Sequence, residues 1–142
     1  MYKDYITSQD EAICHLFLHC CFKDGKFSQD EIDAVSSKFV DLQIHRDLNF
    51  KEELVHYRSY QGSIQSENES AYLEYLIKMT NPVQNLALYS YCFELCLSDE
   101  QLSIEEESLL TKLATLLDIN DEKVTIDKLL TQRKAVEVEK IF

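Results

Sequence analysis

Four carboxylates that share one spacing are the residues of this chain best suited to chemistry. Asp24 and Glu31 recur later in the chain as Asp99 and Glu106, with the same separation between the two acids. Hard divalent cations such as Ca²⁺ and Mg²⁺ prefer oxygen ligands, and two acidic turns brought together could provide four carboxylates. The spacing therefore predicts a divalent-cation site formed by Asp24, Glu31, Asp99 and Glu106.

The same residues also have a structural interpretation. Ser28 precedes Glu31 by three positions, and Ser103 precedes Glu106 in the same way. In such a capping box the serine hydroxyl accepts the amide at the third helical position, and the glutamate reaches back to the serine amide. The aspartates could likewise bond turn amides. Helix capping is thus the alternative to a cation site.

The recurrence extends beyond the acids, because Cys21, Leu42 and Ile44 fall on Cys96, Leu117 and Ile119. Each copy reads as a helix end, an Asp-led turn and a new helix. We therefore expect two copies of one helix–turn–helix unit, about residues 8–44 and 82–119, related by an internal duplication and facing each other.

A softer set of ligands is a second candidate site. His15 and His19 have i, i+4 spacing on the first predicted helix, and Cys92 and Cys96 have it on the fifth. If the two helices pack side by side, these side chains could bind Zn²⁺ or a soft oxidant. The alternative is that the cysteines are core residues, since free cysteine is among the most buried residue types.

Other catalytic patterns are absent from the sequence. There is no Cys-x-x-Cys pair for thiol redox chemistry. The two glycines are too few for a phosphate-binding loop. No nucleophile elbow is present either. We expect a protein that is not an enzyme and has no resident cofactor apart from a divalent cation.

The elements that must position these residues are helices. With one proline and two glycines, and no strand-like alternation, the chain predicts an all-α bundle of about seven helices in one domain, residues 1–142. The first helix has an i, i+3, i+4 stripe that predicts one buried face. Asn81-Pro82 predicts the start of the fifth helix. Leu42 and Leu86 are expected to face inward. For the tail, residues 132–142, three alternatives stay open: a helix, a docked segment or a loosely packed, frayed end.

Charge narrows the choice of partner. The formal net charge is −12, and all of the excess lies in residues 1–120, since acids and bases are equal in number after that point. Nucleic acid is not expected as a partner because its binders need Lys and Arg against phosphate. A basic protein surface fits better. No apolar run is long enough to span a bilayer and no signal peptide is seen, so we expect a cytoplasmic protein.

The paired Asp-Gly-x-Φ-Ser-x-x-Glu turns, in an acidic all-α chain of this length, resemble the TerB-like family, named for a tellurite-resistance protein. The resemblance runs from the first helix to Leu130. It implies a bundle of about seven helices from a duplicated hairpin, a bacterial cytosolic module linked to tellurite and chemical stress, and metal binding through the acidic turns. Glu100 stands where the first motif has Gly25, so a symmetric metal cage is not expected.

The function predicted from these observations is a binding or scaffold module of stress responses whose acidic turns engage a divalent cation or a basic partner. One alternative is a thiol- or metal-dependent enzyme acting on oxyanions or oxidants. Another is a helical adaptor without a ligand. Six tyrosines fit either ordinary semi-buried packing or a partner-binding groove: Tyr57, Tyr60, Tyr72, Tyr75, Tyr89 and Tyr91.

Overall fold

The computed structural model describes residues 1–23, 28–43, 48–97 and 102–135. It is 80% helical, with seven α-helices and no strand in the described part. The helices are α1 (Gln9–Phe22), α2 (Gln29–Asp41), α3 (Phe50–Tyr60), α4 (Ser66–Thr80), α5 (Asn85–Cys96), α6 (Ile104–Leu116) and α7 (Asn120–Ala135). Short 3₁₀ turns lie at Tyr2–Asp4 and Gln61–Ser63. The predicted all-α bundle of seven helices is confirmed.

Helix α1 is the centre of the bundle. It contacts α2, α3, α4 and α5, and every residue from Cys14 to Cys21 is buried. The predicted single buried face is therefore wrong, because a helix surrounded by four others must bury polar positions along with the apolar ones. Those polar positions are His15 and His19, and they require hydrogen-bond partners.

The two helices that open with Ser-x-x-Glu have matching ends. Ser28 and Ser103 each accept the amide three residues on. At the other ends, the residues after the caps are Gln43 and Asp118, with φ of 63° and 56°. Such left-handed residues stop a helix by turning the chain back over its last carbonyls. These matches are local, and the internal duplication stays a prediction.

The start of α5 differs from the prediction. Asn81 does not cap α5; it ends α4 in a left-handed conformation, φ 47° and ψ 59°. Helix α5 begins only at Asn85, with Gln84 as its N-cap. The Asn-Pro pair predicts a helix start because asparagine caps helices, but asparagine also tolerates the left-handed conformation that ends them.

Two predicted core residues are also partly exposed. Leu42 is 39% exposed and Leu86 is 42% exposed. Both lie at one end of the bundle, where α2 ends and α5 begins. The apolar surface at this end is therefore larger than the sequence indicated. At the C-terminus, α7 extends through Ala135, so residues 132–135 follow the helical alternative for the tail, and residues 136–142 lie outside the described part.

Candidate functional site

The predicted carboxylate site is only partly within the described residues. Glu31 is 5% exposed and Glu106 is 3% exposed, each in the first turn of its helix. The Ser103 amide donates to Oε1 of Glu106 at 2.9 Å, and the Glu106 amide donates to Oγ of Ser103 at 3.1 Å. Glu106 therefore closes a reciprocal capping box. Asp24 and Asp99 lie outside the described residues.

The first copy is similar but less complete. The Glu31 amide donates to Oγ of Ser28 at 3.3 Å, and that hydroxyl lies 3.3 Å from Oε1 of Glu31. Glu106 thus has the capping role that the sequence offered as the alternative, whereas Glu31 contacts the serine hydroxyl of its own helix start. A capping carboxylate still carries a negative charge beside the positive end of its helix.

The two helices that lead toward the acidic turns end side by side. The Cys96 thiol, near the end of α5, donates to the backbone oxygen of Cys20, near the end of α1, at 3.7 Å. The predicted side-by-side packing of the first and fifth helices is therefore confirmed. Within the described ranges no three His, Cys, Asp or Glu side chains converge as metal ligands.

The soft-ligand set is not assembled. His15 and His19 turn toward α3 and α4, where Nε2 of His15 lies 2.9 Å from Glu53 and Nε2 of His19 lies 2.8 Å from Glu69. Cys92 and Cys96 of α5 contact Cys20 of α1 instead, and all five cysteines of the chain are buried. The predicted His₂Cys₂ arrangement is wrong because the two histidines point away from α5, toward α3 and α4.

The thiols are also poorly suited to nucleophilic chemistry. A hydrogen bond with Cys92, together with burial, raises the pKa of the Cys20 thiol. Burial and the nearby Glu53 carboxylate raise the pKa of the Cys14 thiol. Because the thiolate is the reactive form, these surroundings disfavour the thiol-based alternative.

The site that sequence reasoning missed is a buried polar network around α1. His15 has two polar contacts, since its Nδ1 lies 2.6 Å from the Tyr60 hydroxyl and its Nε2 contacts Glu53. The Tyr60 hydroxyl in turn lies 2.5 Å from that of Tyr72. A carboxylate can only accept, so Nε2 of His15 donates to Glu53, and in the neutral imidazole Nδ1 then accepts from Tyr60. The chain of donors runs from Tyr72 to Glu53.

His19 has an equivalent pair of contacts. Its Nδ1 lies 2.8 Å from the Tyr57 hydroxyl, and its Nε2 contacts Glu69. Burial lowers the pKa of His19, although the hydrogen bond with Glu69 opposes this effect. The imidazole is therefore held neutral, accepting from Tyr57 and donating to Glu69.

Glu69 joins three helices at this point. Lys23 from the end of α1 and Lys112 from α6 both donate to its carboxylate, the latter at 2.9 Å. Burial alone opposes ionisation of Glu69, but the hydrogen bonds from His19 and the two lysines outweigh it and hold the pKa of Glu69 well below its usual range. The carboxylate is 1% exposed, so it links α1, α4 and α6 from inside the protein.

A signal for this network was present in the sequence. Glu53 lies on the same helix face as Tyr57 and Tyr60, and Glu69 shares a face with Tyr72. An acid within an inward-facing aromatic stripe is unusual, because carboxylates are rarely fully buried unless paired. Pairing these two acids with the two histidines of α1 would have required knowledge of which helices touch.

The fold and these contacts define a class of protein: an acidic all-α bundle in which the buried polar groups tie helices together. The family model described as Tellurite resistance protein TerB matches residues 10–128, which is most of the chain. The chain belongs to the TerB family. No curated protein and no solved structure gives a significant match. No described helix is both long and apolar enough to cross a membrane.

Proposed function

We propose that this chain is a non-enzymatic binding module of the TerB type that acts in the response to tellurite or metal stress. Its working surface is the end of the bundle where α1 and α5 finish and α2 and α6 begin. There, Asp24, Glu31, Asp99 and Glu106 engage a divalent cation, and a basic protein surface is the second kind of partner.

The observation that carries this proposal is the adjacency of α1 and α5 at Cys20 and Cys96. Those helices lead toward Asp24 and Asp99 in the sequence. Because their ends lie side by side, the two acidic stretches start from neighbouring points. Membership of the TerB family supports the link with tellurite resistance.

Charge at the same end supports the choice of a cation. The first turn of α6 carries three glutamates, Glu105, Glu106 and Glu107, and that of α2 carries Asp30 and Glu31. Acids at helix starts satisfy the helix dipole. These two helix starts carry more acids than the helix dipole requires. The extra acids leave a negative potential that attracts cations and basic surfaces.

Calorimetric titration with Ca²⁺, Mg²⁺, Mn²⁺ and Zn²⁺ tests the proposal. We expect a saturable heat for at least one cation in the wild type and its loss in Asp24→Asn/Asp99→Asn. The matched control is Asp41→Asn/Glu74→Gln, which removes two exposed carboxylates from elsewhere on the surface. Indistinguishable heats for the wild type and the Asp24/Asp99 variant would remove the cation site.

A further inference from the structure

The opposite end of the bundle holds an apolar groove. It lies between α1, the chain from Asn81 to Gln84, the first turns of α5 and the C-cap of α2, and its volume is about 200 Å³. Among the described residues, none that lines it is charged, although 28% of the chain is Asp, Glu, Lys or Arg. The groove therefore differs in chemistry from the rest of the surface.

The groove has an apolar floor and an exposed apolar rim. Ile13 and Phe17 of α1 and Tyr91 of α5 line its inner part. Val83, which also lines it, is 93% exposed, and the lining residue Leu42 is 39% exposed. Apolar side chains left open around a concave apolar surface are typical of a binding site.

The end of the groove nearest α4 is polar. Thr80 lines it and is 4% exposed, and its Oγ1 is buried without a hydrogen-bond partner among the described residues. Gln9 is fixed beside it, because its Nε2 donates to the Thr80 backbone oxygen at 2.7 Å. A buried hydroxyl without a partner costs free energy, and a ligand that brings an acceptor would supply the missing bond.

The start of α5 adds a positive potential at the same end. Its N-cap, Gln84, makes no side-chain capping bond, and its first turn contains no acid. Helices α1, α2, α3 and α6 each have both a side-chain cap and an acid in the first turn. The first amides of α5, which the N-cap side chain leaves without a bond, therefore favour an anionic group from outside the chain.

We propose that this groove binds a small amphiphilic carboxylate, with its head at Thr80 and the start of α5 and its apolar chain along α1 toward Tyr91. A cavity of about 150 Å³ accommodates benzene, and drug-sized ligands need about 300 Å³ or more. Gln84 and Tyr91 are seven residues apart on one helix, which is about 10 Å. A fatty acid of medium chain length fits both dimensions.

The groove is separate from the proposed cation site. Helix α2 begins at the acidic end and finishes at the groove, and its 13 residues span about 20 Å. The proposal for the groove is therefore independent of the proposed cation site, and a variant at one end of the bundle leaves the other end intact.

Calorimetric titration of the full chain with octanoate, octanol and octylammonium tests the proposal, below the concentrations at which these probes aggregate. We expect octanoate to bind with one-to-one stoichiometry. Octanol should bind about tenfold more weakly, because it lacks the charge that the helix start and the Thr80 hydroxyl favour. Octylammonium should bind more weakly still.

Two variants locate the binding. Ala87→Phe places a ring on an exposed residue that lines the groove, and it should abolish octanoate binding. Ala71→Phe, on an exposed position of α4, is the matched control and should bind as the wild type does. Thr80→Val removes only the hydroxyl and should weaken octanoate about tenfold and octanol by less, because a charged acceptor makes the stronger hydrogen bond.

The results that would overturn the proposal are equally definite. Equal affinities for octanoate and octanol would remove the carboxylate head from the site. Unchanged binding in Ala87→Phe would place the ligand elsewhere. A lack of saturable octanoate binding would exclude the small amphiphile and leave the groove to an apolar side chain of a protein partner.

Discussion

The thiol of Cys96 donates to the backbone oxygen of Cys20 at 3.7 Å, and both residues are buried. This contact joins the end of α5 to the end of α1. Each helix is followed in the sequence by an Asp-led acidic stretch. The core contact between the two cysteines therefore sets where the two acidic stretches begin, and the cysteines have a structural role.

Replacing Glu69 tests how much its buried ion pairs and hydrogen bonds, which link α1, α4 and α6, contribute to stability. In Glu69→Gln, His19, Lys23 and Lys112 lose the carboxylate to which they donate. Removing one partner of a buried ion pair is strongly destabilising, so we expect a loss of about 3 kcal/mol in the free energy of unfolding. Urea denaturation measures it. Glu74→Gln, exposed on the same helix, should change stability by less than about 0.5 kcal/mol.

Acid should destabilise the fold in two steps. Burial lowers the pKa of His19 from 6.5, so the unfolded chain gains that proton first and stability falls as the pH drops below about 6.5. The hydrogen bonds from His19, Lys23 and Lys112 outweigh burial and lower the pKa of Glu69 from 4.5, so a second loss follows below about pH 4.5.

Urea denaturation across pH 7.5 to 5 checks the first step. His19→Gln keeps a donor toward Glu69 and an acceptor for Tyr57 but does not titrate, so its stability should change less over this range than that of the wild type. A wild-type stability that is constant between pH 7.5 and 5, or a variant with the same decline, would show that His19 does not control this step.

The helix ends could be predicted well because capping is a local property. Ser28 and Ser103 identify the starts of α2 and α6, and the structure places both caps there. The prediction for Asn81 is wrong for the same local reason, since asparagine is found both at helix starts and at left-handed helix ends. Local sequence signals therefore predict most of the helix boundaries discussed here correctly.

The buried network could not be predicted, because it depends on contacts between distant helices. His15 is hydrogen-bonded to Glu53, and His19 to Glu69. The partners are 38 and 50 residues apart in the sequence, and the periodicity of a helix relates only residues a few positions apart. The predicted set combines histidines of α1 with cysteines of α5, and these two helices are indeed neighbours. The histidine side chains, however, turn toward α3 and α4. Because α1 is buried from Cys14 to Cys21, the sequence does not show which neighbouring helix each of its side chains faces.

Thr80→Val should stabilise the protein without a ligand. The hydroxyl oxygen of Thr80 is buried without a partner among the described residues, and its removal ends the cost of an unmade hydrogen bond, about 1 kcal/mol. Thermal or urea denaturation measures the gain. Thr115→Val is the matched control, because its hydroxyl donates to the Thr111 backbone oxygen at 3.1 Å. Equal effects of the two substitutions would contradict the assignment.

Glycine at the left-handed helix ends should also stabilise the fold. Gln43 and Asp118 have positive φ, a conformation that is strained for residues with a Cβ. We expect Gln43→Gly and Asp118→Gly each to raise the free energy of unfolding by about 0.5 kcal/mol, the relieved strain being partly offset by the greater freedom of the unfolded chain. Glu74→Gly, inside α4, should lower it by about 1 kcal/mol. Destabilisation by glycine at all three positions would argue against the strain.

Paramagnetic broadening by Mn²⁺ tests the central claim, that both acidic stretches contribute to one cation site. In an amide spectrum of the ¹⁵N-labelled protein, substoichiometric Mn²⁺ should broaden Lys23 and Leu97 together and leave Asn85, at the other end of α5, sharp. The Asp24→Asn/Asp99→Asn variant should show neither effect. Broadening at only one of the two stretches, or the same broadening in the variant, would contradict a shared site.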